Sequence, residues 1–166
     1  NIPEGALKET IKNHFSKIET MTDINMLKLI GPYMLGRVKF EDIKDVQDNL
    51  NLDDILNSSK QNLFDELLLK FAIKSGISGV QPKLLLKAYD KTTMKFENYI
   101  VKSWENNYPN LVLNEYFCMK ACSYAKLPTP EFYISDDFKM FVMKRFDILE
   151  DGTYLGFEDM CVLTAR

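Results

Sequence analysis

Apolar residues recur every three or four positions through the first 70 residues of the chain, and closer to every second position in much of the remainder. Leu7, Ile11, Phe15 and Ile18 share one helical face, which predicts a helix over residues 6–19. Thr22 or Asp23 is placed to cap a second helix reaching Leu29, with Gly31-Pro32 to end it. Residues 36–40 read as a short strand, and residues 42–56 and 58–69 as two more helices, the latter opening on Ser58-Ser59. After Lys70 the character changes. Residues 83–89 and 94–104 are strand-like, and Asp90-Lys91-Thr92-Thr93 between them suits a hairpin turn. Residues 111–126 carry a strong helical pattern that Leu127-Pro128-Thr129-Pro130 stops. Residues 131–135 and 139–146 predict two strands separated by Asp136-Asp137. Asp151-Gly152 marks a turn, residues 154–157 are extended, and residues 158–166 begin a further helix. With the apolar run 67–73 read as a strand as well, the expected α+β fold is an antiparallel sheet with one packed helix, preceded by a mainly helical segment.

Between the run 67–73 and the run 84–86 lies Ser75 to Lys83, Ser-Gly-Ile-Ser-Gly-Val-Gln-Pro-Lys. Glycine lets a backbone bend sharply and approach a ligand closely, so that successive amides face an anion. A phosphate-cradling loop is one reading and an ordinary hairpin turn the other. The spacing is not that of a Walker A loop, because Gly76 and Gly79 are separated by two residues and Lys83 follows only later. Nor is it a Rossmann fingerprint. A strand–loop–strand setting suits the glycine-rich flap of a protein kinase better.

Such a flap calls for a lysine near the end of a later strand and a glutamate on the following helix. Lys102 ends the run Tyr99-Ile100-Val101 and shares a face with Ile100. Glu115 aligns at helical spacing with Leu111, Cys118 and Cys122, an apolar stripe on which a carboxylate wants a cation. Lys102 is the obvious partner; the competing reading sends Lys102 to solvent and leaves Glu115 at the helix edge. Met143-Lys144-Arg145-Phe146-Asp147 closes the last strong strand, where backbone groups could meet an adenine edge and Asp147 a ribose hydroxyl. A strand end followed by a polar turn explains the same residues.

Composition narrows the classes. A chain of 166 residues, 46% hydrophobic and 27% charged, has the make-up of one soluble globular domain. Its net charge of −3 gives no reason to expect direct nucleic-acid binding. No apolar run approaches the roughly 20 residues of a membrane span, and no signal peptide opens the chain, so cytoplasm is the expected compartment. Cys118, Cys122 and Cys161 form no disulfide framework, and the single histidine, His14, has no ligand-like neighbours, so no metal site is expected. The chain starts without methionine and ends soon after an apolar stretch, as a cut piece would.

Taken together, Gly79-Val80-Gln81-Pro82-Lys83, Lys102, Asn114-Glu115-Tyr116, Arg145-Phe146-Asp147 and Glu158-Asp159-Met160-Cys161 resemble, in order and approximate spacing, the HipA-like serine/threonine kinases of bacterial toxin–antitoxin systems. Ile2-Pro3-Glu4-Gly5-Ala6-Leu7, and Ile30-Gly31 through Gly36-Arg37-Val38, are similar to the end of the small subdomain that precedes the kinase core there. The resemblance implies that residues 1–70 are the end of that subdomain with a helical connection. Residues 71–166 would be a kinase-like N-lobe whose one packed helix corresponds to αC. It implies that Ser78, Gly79, Val80, Gln81, Pro82 and Lys83 line the phosphates of ATP, that Lys102 contacts them, and that Glu115 orients Lys102. It implies adenine contacts from the backbone of Lys144 and Phe146, within a nucleotide-binding segment that includes Arg145 and Asp147. The γ-phosphoryl would go to a protein serine or threonine, with aminoacyl-tRNA synthetases the known kind of target, and growth would be arrested. A HipB-like DNA-binding antitoxin is the implied partner.

Two departures from the family pattern stand out. Gly76 occupies the place of the usual autophosphorylated loop serine, which makes Ser78, then Ser75, the candidates for that modification. The aspartate base, its asparagine and the Mg²⁺-binding aspartate of the family are expected beyond Glu158-Asp159-Met160-Cys161, so this piece by itself is expected to be inactive. The alternative is a non-catalytic interaction or regulatory module derived from such a kinase.

Overall fold

The computed structural model describes residues 3–15, 20, 22–34, 50–72, 74–75, 81–104, 109–156 and 160–164. Among these described residues four helices come first: α1 (Gly5–Phe15), α2 (Asp23–Ile30), α3 (Leu52–Leu56) and α4 (Leu63–Phe71). The Thr22 hydroxyl accepts the Asn25 N–H at 3.2 Å and so caps α2. Gly31–Tyr33 follows as a single 3-10 turn, because Pro32 has no N–H with which to extend the helix.

A sheet then forms from β1 (Lys83–Asp90), β2 (Lys95–Lys102), β3 (Phe132–Ile134) and β4 (Phe141–Lys144), in the antiparallel order β1-β2-β4-β3. Helix α5 (Leu111–Tyr124) connects β2 to β3, and α6 (Met160–Leu163) follows the sheet. The fold is α+β, as the alternating and helical patterns predict.

Strand alternation divides the sheet into two faces with different tasks. Leu84, Leu86, Ala88, Tyr99, Val101 and Val142 are buried in one core with Leu7 and Ile11 of α1, Met26 and Ile30 of α2, and Leu67 and Phe71 of α4. Each fully buried aliphatic or aromatic side chain there contributes roughly 1.5–3 kcal/mol. The other face presents Lys83, Ile100, Lys102, Phe141 and Met143, and α5 packs toward its β3–β4 side.

Three expectations need correction. The run 67–73 is no strand: α4 continues through Phe71, because Leu63, Phe64, Leu67, Leu68 and Phe71 form a helical stripe that a reading begun at Leu67 cuts in half. The loop is therefore entered from a helix, not from a strand. Residues 58–62 precede α4 and are not helical. Residues 50–51 lie along β1 instead of continuing a helix: Tyr89 N–H donates to the Leu50 carbonyl at 2.7 Å, and Asn51 bridges Tyr89 in parallel. Asn51 then bonds Asp54 through its side chain at 2.8 Å, at the start of α3. The strand expected at 36–40, most of the helix expected at 42–56, and residues 157–159 lie outside the described residues.

Candidate functional site

The β1–β2 register sets Lys83 opposite Lys102 at the end of both strands. Like charges directly opposed across a ladder repel, so this pairing needs a compensating group. Lys102 Nζ donates to Glu115 Oε1, with the two side chains only 18% and 26% exposed. The contact expected between these two residues is thus present. Lys102 Nζ also lies 5.9 Å from the centre of the Phe141 ring.

Aromatic packing brings Glu115 to that point. Tyr116 meets Phe132 edge-on at 5.7 Å, and Phe132 meets Phe141 at 6.1 Å, so α5 is seated on β3 and β4 by the residue next to Glu115. The helix ends where Leu127 N–H bonds the Cys122 carbonyl and Lys126 N–H that of Ser123, with Lys126 at φ +60°. The stripe expected to carry Glu115 differs from the one that packs. Cys118 is exposed and Cys122 half-buried, whereas Val112 is fully buried and Tyr116 half-buried.

Lys83 feels the enclosure. Burial first, and the neighbouring Lys102 charge second, hold its ammonium below the usual lysine range, against the opposing pull of Glu115 and Glu4. Two ammonium groups, one bonded to Glu115 and the other within the field of Glu115 and Glu4, thus stand half-buried side by side at the mouth of the sheet. An anion with several oxygens is the chemical complement of that arrangement.

The roots of the loop are tied on both sides. Ser75 is fully buried; its hydroxyl donates to the Phe71 carbonyl at 2.8 Å and accepts the Leu85 N–H at 2.9 Å, which joins the end of α4 to β1. At the far root, Gln81 Nε2 donates to the Ser103 carbonyl at 3.1 Å, and Ser103 N–H donates to the Pro82 carbonyl at 2.8 Å. Ser103 Oγ in turn donates to the Lys139 carbonyl at 3.1 Å. Ser78, Gly79 and Val80 lie outside the described residues.

The segment after β4 is more committed internally than its sequence suggests. Lys144 N–H donates to the Glu131 carbonyl at 2.9 Å, one step beyond the last pair of β3 with β4. Its ammonium bonds Glu97 Oε1 at 2.9 Å, which raises the Lys144 pKa. Arg145 grips Asp147 through two bonds, of 2.9 and 2.6 Å, with the side chains 8% and 13% exposed. The Arg145 guanidinium also sits 5.8 Å from the centre of the Tyr154 ring. Phe146 between them is exposed.

Ser103 is a site-building residue that the sequence patterns do not single out, and Tyr116 enters them only as the neighbour of Glu115 in a motif. Neither has a chemistry that advertises itself. A separate cavity of about 270 Å³, lined in part by Phe64, Leu68, Pro82, Ser103, Trp104 and Met140, touches the loop root but none of Lys83, Lys102 and Glu115. Among the described residues no cluster of three metal-ligating side chains occurs, and no helix is long and apolar enough to cross a membrane.

Comparison with known proteins adds one finding. The family model described as the HipA-like C-terminal domain matches residues 75–166. No curated protein and no solved structure matches the chain.

Proposed function

This chain belongs to the HipA-like family, and we propose on that premise that it is the ATP-binding part of a protein serine/threonine kinase. The observation that carries the reading is the trio at the mouth of the sheet: Lys83 opposite Lys102, with Glu115 bonded to Lys102. Phosphoryl transfer asks little covalent chemistry of a protein and much positioning and charge compensation. Two lysines held in a half-buried setting fit the polyphosphate of a nucleotide, and Glu115 keeps one of them from swinging into solvent.

ATP, when bound, supplies the transferable phosphoryl group and carries Mg²⁺ on its oxygens. The chain's own part is then to hold phosphate with Lys83 and Lys102, to fix Lys102 through Glu115, and to offer backbone at Phe146 to the base. Lys144 N–H is already bonded to Glu131, so Phe146 is the better of the two for that contact. The bonds that Gln81 and Asp147 make inside the protein argue for supporting roles. The acceptor would be a protein serine or threonine, the aminoacyl-tRNA synthetases being one candidate class. A HipB-like antitoxin would be the regulating partner and the cytoplasm the compartment.

Calorimetric titration of the chain with ATP, with and without Mg²⁺, tests the reading. Weak binding is expected, reduced about tenfold or more by Lys102→Ala, which removes a charge-assisted contact. Equal affinity of the variant and the parent chain would overturn it. A second reading, a non-catalytic interaction module, draws on the outer side of α5, where Phe117 and Tyr124 are 65% and 93% exposed. ATP-independent capture of a protein through that side would favour it.

A further inference from the structure

The β1–β2 ladder does not stop where its strands do. Lys83 pairs with Lys102, so the next antiparallel position sets Pro82 against Ser103. Antiparallel pairs of the hydrogen-bonded kind exchange two bonds, one N–H in each direction. The first of these is in place, Ser103 N–H to the Pro82 carbonyl at 2.8 Å. The return bond to the Ser103 carbonyl cannot form from the backbone, because proline has no N–H. That carbonyl accepts instead from the Gln81 side chain, Nε2 to O at 3.1 Å.

We infer that Gln81 is a positioning residue whose amide replaces the ladder bond that Pro82 cannot make, and so sets Lys83 against Lys102. Ser103 is buried, and an unpartnered carbonyl there would carry a desolvation cost. Its hydroxyl also holds the Lys139 carbonyl, just before β4 begins. The exit of the loop, the end of β2 and the entry to β4 therefore converge on one residue, and Gln81 closes the set. The replacement has a use beyond satisfying a carbonyl. A backbone N–H at position 82 would continue the strand into the loop, whereas Pro82 with a side-chain donor behind it ends the strand and lets the chain turn away while the last pair stays closed.

The consequence for the ligand rests on the proposal that Lys83 and Lys102 face phosphate; the hydrogen-bond replacement does not. Two variants separate these statements: Gln81→Ala, and Gln81→Ala combined with Pro82→Ala, which returns an N–H to the backbone. Amide exchange at Ser103, thermal melting and ATP titration are read for each. Gln81→Ala is expected to speed Ser103 exchange by roughly 2–10-fold and to lower the melting temperature by about 2–4 °C, the scale of one net hydrogen bond in a chain of this size. Adding Pro82→Ala is expected to restore both. Unchanged Ser103 exchange in Gln81→Ala, or a double variant no better than the single one, would overturn the inference. If the parent chain does not bind ATP, the nucleotide reading fails and the exchange data still decide the role of Gln81. If exchange recovers in the double variant but ATP affinity does not, Gln81 touches phosphate itself, and its positioning role is not what sets affinity.

Discussion

Lys83 and Lys102 face each other at the last pair of the β1–β2 ladder, and Glu115 reaches in from α5 to bond Lys102. Sheet register creates the repulsion, and a helix thirteen residues further along the chain relieves it.

That relationship is measurable as a coupling. Lys102→Ala and Glu115→Ala each lose the ion pair, and the double variant loses nothing more through it. A double-mutant cycle on urea unfolding is expected to return about 1 kcal/mol of interaction, toward the upper end for partly exposed pairs. Strict additivity would mean that the bond contributes no stability.

Lys83 imposes a pH dependence whose sign is set. Burial, then the charge on Lys102, hold its pKa in the folded protein below the ordinary 10.5. The unfolded chain therefore binds that proton more tightly. The penalty on folding is complete below the lowered pKa and fades as pH rises through the interval up to 10.5. Lys83→Met is expected to melt at a higher temperature than the parent chain at pH 7, with the advantage narrowing toward pH 10. The same variant should bind ATP more weakly. A melting difference that ignores pH would remove Lys83 as its source.

Arg145 and Asp147 form a nearly enclosed, two-bonded ion pair beside Tyr154. Asp147→Ala leaves the guanidinium buried without its carboxylate and is expected to cost about 3 kcal/mol in urea unfolding. A loss confined to ATP affinity, with stability intact, would instead assign Asp147 to the ligand.

Ser75 is bonded on both sides of its hydroxyl and has no exposed surface. Ser75→Ala is expected to cost about 1–3 kcal/mol, because the Leu85 N–H loses its partner in the interior. Mapping of phosphopeptides after incubation with ATP and an active relative should leave Ser75 unmodified while the protein is folded. Phosphate on Ser75 at native conditions would mean that α4 and β1 separate readily.

Much of this arrangement is legible in the residues. Helix α5 follows from its period and its proline-rich stop, and the four strands from alternation between turn residues. The Lys102–Glu115 contact is one of the two outcomes that the sequence leaves open for a carboxylate on an apolar stripe, the other being a lysine turned to solvent. The face itself is harder to place, since Cys118 is as apolar as Val112 yet points outward. Apolarity says that a side chain tolerates burial; only the seating of Tyr116 on Phe132 decides which flank of the helix turns inward. The run 67–73 fits both periods when read alone, and the stripe beginning at Leu63 resolves it in favour of a helix.

The amino-acid sequence by itself determined the α+β class, the order of elements from β1 onward and the presence of two lysines and a glutamate, because these depend on local periodicity and on functional groups. Tertiary structure alone decided that Lys83 stands against Lys102, that Gln81 completes the pairing of Pro82 with Ser103, and that Asp147 is engaged by Arg145. Those relationships depend on strand register and on which polar group reaches an unsatisfied partner first. Both are settled only when separate stretches of the chain pack together.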